Sequence, residues 1–183
     1  NPSKVRADEF TNGASKFVVA LAAKAEKSLM GKNISVLEHQ ERFRKIMREE
    51  FDLYGVGKWV VGRYWRKITQ TERAEYLRLF EDFIVATYSK RFRAYTNAKL
   101  RVKIATRSKN SAFVNSEIAR KSSKPIKVTW RVKLSKGRYK IVDIIIEGVS
   151  WIQTQRSEFV SVIRNSDGKV SGLMVALRKK IKS

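Results

Sequence analysis

His39 is the one histidine of this sequence, and it lies in the charged helical run EHQER. An imidazole can act as a base or metal ligand near neutral pH. A zinc site needs three or four nitrogen or sulfur ligands, and a chain with one histidine and no cysteine does not supply them. A Ser-His-Asp triad through His39 finds no nucleophile-elbow motif to support it. Asp143 interrupts the apolar run from Ile141 to Ile146. A carboxylate there costs free energy unless it is paired or hydrated. With no second carboxylate, histidine or cysteine near it in sequence, Asp143 reads as a structural acceptor or salt-bridge partner. Gly55, Gly57 and Gly62 do not make a nucleotide fingerprint, since no strand precedes them, and paired glycosidase carboxylates are also unsupported. Trp59, Tyr64 and Trp65 interleave with Lys58, Arg63, Arg66 and Lys67. Such mixing can stack bases, sit at a lipid headgroup boundary, or simply fix a corner between helices. Binding therefore fits better than catalysis, and no catalytic residue, cofactor or metal is expected.

Composition narrows the partners. Forty basic against 17 acidic residues give a net charge of +23, which calls for nucleic acid, anionic lipid or an acidic protein. The cations are spread along the chain rather than clustered, so no specific nucleic-acid footprint is expected. The absence of cysteine excludes disulfides and thiol catalysis and leaves the compartment open. Neither a transmembrane helix nor a signal peptide is expected. A length of 183 residues suits one domain with a sizeable core. The expected division is a flexible N-terminus over residues 1–7 and a single domain over 8–183.

Hydrophobic periodicity supplies the elements. A first helix is predicted from Ala7 to Leu29, capped by Asp8, with Phe10, Ala14, Phe17, Val18, Leu21 and Ala25 on one stripe. Ser35 and Glu38 form a capping box for a second helix that buries Leu37, Phe43, Ile46, Met47 and Phe51. Short helices and tight turns follow to Thr69. Thr69 and Glu72 make another capping box. The long helix after it, to about Thr96, carries a wide face of Tyr76, Leu77, Phe80, Phe83, Ile84, Thr87, Tyr88, Phe92 and Tyr95. Alternation then takes over through Leu100, Val102 and Ile104, through Ala112 to Ile118, and most cleanly through Ile126, Val128, Trp130, Val132 and Leu134. A further strand spans Lys140–Glu147. Gly148 ends it, and Ser150 caps a helix to about Asn165, before a last helix with Val170, Leu173, Met174, Leu177 and Ile181 facing in.

The sum is an α+β fold: helices on one face of a curved, mainly antiparallel sheet of about four strands. The aromatic helix face and the alternating strands place Phe80, Phe83, Ile84, Tyr88, Val102, Ile104, Val128, Trp130 and Val132 around one apolar volume. The loop Ser135-Lys136-Gly137 leaves the register open. A three-residue loop with Gly137 left-handed adds a bulge and puts Val142, Ile144 and Ile146 on the Trp130 face, which adds Ile144 to that wall. A two-residue turn at Lys136-Gly137 puts Ile141 and Ile145 there instead.

Two stretches resemble the MlaC, or toluene-tolerance, family: FRKIMREEFDLYGVGKWVVGRYWRKITQTERAEYLRLFEDFIVATYSKRF and IKVTWRVKLSKGRYKIVDIIIEGVSWIQTQRSEFVSVIRN. The matching features are the pair Phe51-Asp52, the corner of Gly62, Tyr64 and Trp65, and the run from Tyr88 to Phe92. Asp143 with Gly148 to Ser150, then Arg156 and Phe159, are the most specific. The resemblance spans about residues 8–181, and order and spacing carry it rather than any single word.

The resemblance implies a soluble, monomeric periplasmic carrier of phospholipid. Its acyl chains would enter a deep apolar cavity between sheet and helices, walled by the residues named above. Its implied partners are an outer-membrane lipoprotein and porin complex and an inner-membrane ABC transporter with an MCE-domain protein. The high charge leaves room for a relative carrying another lipid class, such as a hopanoid-related lipid. A basic nucleic-acid-binding or protein-docking module is the alternative from composition alone.

Overall fold

The computed structural model describes residues 2–31, 33–93 and 98–183, with side chains from Glu9 onward. Helix α1 (Pro2–Leu29) starts ahead of the expected Ala7. Asp8 falls inside it rather than capping it, and the Asp8 side chain lies outside the described residues. α1 buries Ala14, Val18, Leu21 and Ala25, the three- and four-residue spacing of one helical face.

Helix α2 (Val36–Glu50) begins at Ser35, whose Oγ accepts the Glu38 N–H at 3.1 Å. Its buried stripe is His39, Phe43, Ile46 and Met47; Leu37, two positions off that stripe, is exposed, contrary to expectation. Helix α3 (Leu53–Val61) is capped by Asp52, which accepts the Gly55 N–H at 2.9 Å. A 3-10 turn over Gly62–Lys67 follows. Helix α4 (Gln70–Arg93) opens with both halves of a capping box: Glu72 N–H donates to Thr69 Oγ1 at 3.2 Å, and Thr69 N–H to Glu72 Oε2 at 2.7 Å. The expected last turn, with Tyr95 and Thr96, lies outside the described residues.

The sheet is a five-stranded antiparallel meander in chain order, with one short strand more than expected. It comprises β1 (Leu100–Ser108), β2 (Ser111–Ile118), β3 (Ile126–Ser135), β4 (Arg138–Ile146) and β5 (Val149–Ser150). Helices α5 (Trp151–Asn165) and α6 (Val170–Lys182) complete the chain. The outer edge of β4 is covered at one end by β5 and at the other by Phe51, and the Asp52 N–H donates to Ile141 O at 3.0 Å. An exposed edge would present unpaired backbone groups.

Bulges, rather than loop length alone, settle the register. Ser135 pairs with Arg138 around a two-residue turn in which Lys136 and Gly137 have φ of 49° and 76°, the left-handed geometry that matches strand twist. Val132 then opposes Ile141. Between Arg131 and Val132 the pairing shifts, leaving Val142 as the extra residue, so Trp130 opposes Ile144 and Val128 opposes Ile146. Ile141, Ile144 and Ile146 thus share one face through a bulge that lies within the strands rather than at the loop, and Val142 does not join them.

Helix α1 lies over β1 and β2, while α2, α3 and α5 pack beside β4, and α4 packs among α2, α3 and α6. One hydrophobic core joins these helices to Ala112, Val114, Val132 and Ile141 of the sheet.

Candidate apolar binding site

The strand pairings lay the inner sheet face out in rows: Leu100, Ile118 and Ile126; Val102, Ser116, Val128 and Ile146; Ala105, Val114, Trp130 and Ile144; Ala112, Val132 and Ile141. Burial varies within them. Ala112, Val114, Val132 and Ile141 are fully buried and Ser116, Ile126 and Val128 are buried, whereas Val102, Trp130 and Ile144 are half-buried and Ile146 is 49% exposed. An apolar face therefore continues past the edge of the packed core.

The polar atoms on this face are internally satisfied. The Trp130 indole N–H donates to Ser116 Oγ at 3.0 Å, and the Ser116 hydroxyl donates to the Val128 carbonyl at 2.7 Å. The Trp130 ring is fixed while its carbon surface stays partly open. On the helical side, the Trp151 indole N–H donates to Tyr88 Oη at 2.5 Å, with the two rings edge-on at 5.8 Å. Both indoles thus present apolar rings without an orphaned N–H.

The predicted wall residues divide by burial. Phe80, Phe83, Ile84, Val128 and Val132 are buried; Tyr88, Val102, Trp130 and Ile144 are half-buried and border the core. Ile104 is a correction. It is 66% exposed, because the register shift between Val102 and Ala105 breaks the alternation and hands the inner position to Ala105. Leu100, Phe92 and Trp151 also border the core but were not assigned to the wall. Leu100 and Phe92 carried the right periodicity, whereas nothing local in the sequence showed that Trp151 would meet Tyr88.

The expected deep cavity is likewise not seen among the described residues. The space between α4 and its neighbours is filled by rings: Phe159 of α5 lies 6.2 Å from Phe80 and 5.7 Å from Phe83, and Trp151 lies 6.5 Å from Phe80. Two clefts are open surface grooves elsewhere. One, of about 320 Å³, is lined by Arg44, Tyr54, Leu77 and Glu81; the other, of about 290 Å³, by Trp59, Arg156 and Arg164.

Ion pairs brace the helices around this face. Lys24 of α1 reaches Glu49 and Glu50 of α2 at 2.5 and 2.6 Å. Arg44 meets Glu81 and Asp82 of α4 at 2.7 and 2.8 Å, and Arg48 also meets Glu81 at 2.8 Å. Burial alone would raise the Glu81 carboxyl, but hydrogen bonds from Arg48 and Arg44 outweigh it and hold the group below its ordinary range. Tyr76 is buried against α3, donates to the Gly57 carbonyl at 2.8 Å, and has its hydroxyl pushed well above its usual value by desolvation.

The residues first considered for chemistry hold structural positions. Asp143 is buried and accepts the Ser150 hydroxyl at 2.6 Å and the Ile152 N–H at 3.1 Å. His39 is buried on α2, its Nε2 has no hydrogen-bond partner among the described residues, and desolvation followed by the charge of Arg93 lowers its affinity for a proton. Among the described residues no cluster of acidic, histidine or cysteine side chains could hold a metal ion, and no helix is long and apolar enough to cross a membrane.

The fold has a solved counterpart. A phospholipid-binding protein from Ralstonia solanacearum, determined in complex with a phospholipid, superposes with a TM-score of 0.75. The two chains are 20% identical, and the match covers 94% of this chain and 96% of that one. The MlaC protein family profile matches residues 20–179. That span takes in α2 to α5, the whole sheet and most of α6, and on it the chain belongs to the MlaC family.

Proposed function

We propose that this protein is a non-enzymatic phospholipid carrier that encloses acyl chains against the inner sheet face and moves lipid across the periplasm. The observation that carries the reading is the partly open apolar face of the sheet. Val102, Trp130 and Ile144 leave apolar surface partly open beside buried neighbours in the same rows, the Trp130 indole N–H is already paired with Ser116, and Tyr88 and Trp151 add a paired ring couple on the helical side. The phospholipid bound by the Ralstonia solanacearum protein, and membership of the MlaC family, support the same cargo.

Each methylene removed from water contributes about 0.8 kcal/mol, so a two-chain lipid cannot travel exposed. Chains would enter where the core is half-buried and widen it by parting the Phe80, Phe83 and Phe159 rings from one another. Hydrocarbon offers few directional contacts, so the site should select tail volume over tail chemistry. Release requires docking, and the proposed donors and acceptors are an outer-membrane lipoprotein and porin complex and an inner-membrane ABC transporter bearing an MCE-domain protein.

Native mass spectrometry of the purified chain tests the cargo. The expected result is an added mass that fragments to a diacyl phospholipid. A polycyclic lipid mass in its place would reassign the cargo to the hopanoid class, and a chain that neither carries lipid nor takes it up from vesicles would refute the carrier reading.

A further inference from the structure

Arg156 of α5 is held in one place by unusual means. Its guanidinium stacks over the Trp59 ring at 4.5 Å and its Nη1 donates to the Trp59 carbonyl at 3.2 Å. It also passes so close to Gly62 that a Cβ there would sit 2.9 Å from Nη2, and Gly62 has a φ of 56° that side chains rarely adopt. A groove of about 290 Å³ opens beside it, lined also by Arg164 and by Trp59, which is 39% exposed.

More cations converge on the same corner. Arg63 and Lys67 lie over the Tyr64 ring at 5.3 and 5.5 Å. The hydrogen bond from Arg63, and then the charges of Arg63, Arg164 and Lys67, outweigh burial and hold the Tyr64 hydroxyl below its ordinary value. Among the described residues none of Arg63, Lys67, Arg156 and Arg164 makes an ion pair, whereas Lys24, Arg44, Arg48 and Arg178 all do. The acidic residue of α5, Glu158, accepts from Gln155.

We propose that the α3–α5 corner is a docking face for an anionic bilayer surface, with lipid phosphates in the groove between Arg156 and Arg164 and the Trp59 ring at the headgroup level. Charge complementarity names an anionic partner. The exposed indole beside unpaired long cations selects a headgroup layer over an acidic protein, because an amphipathic ring and long cationic stems match the polarity gradient of that layer. The inference stands apart from the cargo reading, since vesicle binding needs no enclosed lipid.

The test is flotation of the full chain with vesicles of mixed phosphatidylglycerol and phosphatidylcholine, and with phosphatidylcholine alone. Binding is expected to the mixed vesicles, to weaken as salt rises, and to blue-shift a fluorescence component that Trp59→Phe removes. Replacing Arg164 and Lys67 together by Gln, both exposed side chains, should weaken partition about tenfold or more. Adding Arg156→Gln should weaken it further. The control pair Lys121→Gln with Lys124→Gln, equal in charge removed and placed in the exposed β2–β3 loop, should change it less than about twofold. Equal loss in both pairs would mean that net charge alone binds, and would overturn the assignment, as would no binding to mixed vesicles. A Trp59 shift produced equally by polyglutamate would give the face to acidic polypeptides and overturn the bilayer proposal.

Discussion

The Asp143 carboxylate and the Ser150 hydroxyl lie 2.6 Å apart, joining the middle of β4 to the first residue before α5. The second Asp143 oxygen accepts the Ile152 N–H at 3.1 Å, and Ser150 Oγ accepts the Gln153 N–H at 3.2 Å. One buried acid thus satisfies an orphan donor of the helix and orients the cap that satisfies another. It also sets where Trp151 emerges to meet Tyr88.

Asp143→Ala should destabilise the fold by about 1–3 kcal/mol, since it leaves a buried N–H unmatched. At about 2–4 °C per kcal/mol for a chain of this size, a thermal scan will resolve it. Asp143→Asn keeps an acceptor and should lose less. Equal melting temperatures for the alanine variant and the parent would remove Asp143 from this role.

Trp130→Glu should lose copurified lipid while keeping its circular dichroism, because a carboxylate on the half-buried face opposes hydrocarbon. Trp130→Phe should keep its lipid, and so should Ile104→Glu, whose side chain is exposed. Lipid mass per folded protein is the measurement. Loss of lipid from the Ile104 variant would place acyl chains somewhere other than the proposed face.

Gly13 and Tyr139 are a second close pair. A Cβ on Gly13 would lie 2.0 Å from the Tyr139 hydroxyl oxygen. The ring cannot simply swing away, because Phe10 and Phe17 each flank it at 5.9 Å. Gly13→Ala should cost about 1–3 kcal/mol through overpacking, and adding Tyr139→Phe should recover part of it. A double-mutant cycle reads the coupling; strictly additive effects would show that the contact is relieved elsewhere.

His39 is expected to set the mildly acidic limb of stability. Its folded-state proton affinity is lowered, chiefly by burial and then by Arg93, so the unfolded chain binds the proton more readily. Its contribution is intact above the unfolded value of 6.5 and is lost as pH falls from there through the lower folded value. The melting temperature should begin to drop below about pH 6.5, and His39→Leu should flatten that limb whatever its absolute stability. As the chain has one histidine, an unchanged limb in the variant would assign it to other groups. Glu81, held low by Arg48 and Arg44, adds a loss only at more acid pH.

The sequence by itself determined what local hydrogen bonding and periodicity determine. Ser35, Thr69 and Ser150 were legible as helix starts because a cap bonds within three residues of itself. The alternation from Ile126 to Val132 named the inner face of β3 because side-chain direction in a strand is local. The α+β order and the aromatic face of α4 followed in the same way. Tertiary structure decided the rest. Two register shifts turned Ile104 outward and brought Ile141 and Ile144 onto one face, since a bulge depends on the partner strand and not on its own sequence. The basic aromatic corner divided as well: Tyr64 and Trp65 went into the core while Trp59 stayed at the surface under Arg156. Each ring is equally able to be buried. Which one is depends on the helices that close over it, and those helices come from distant parts of the chain.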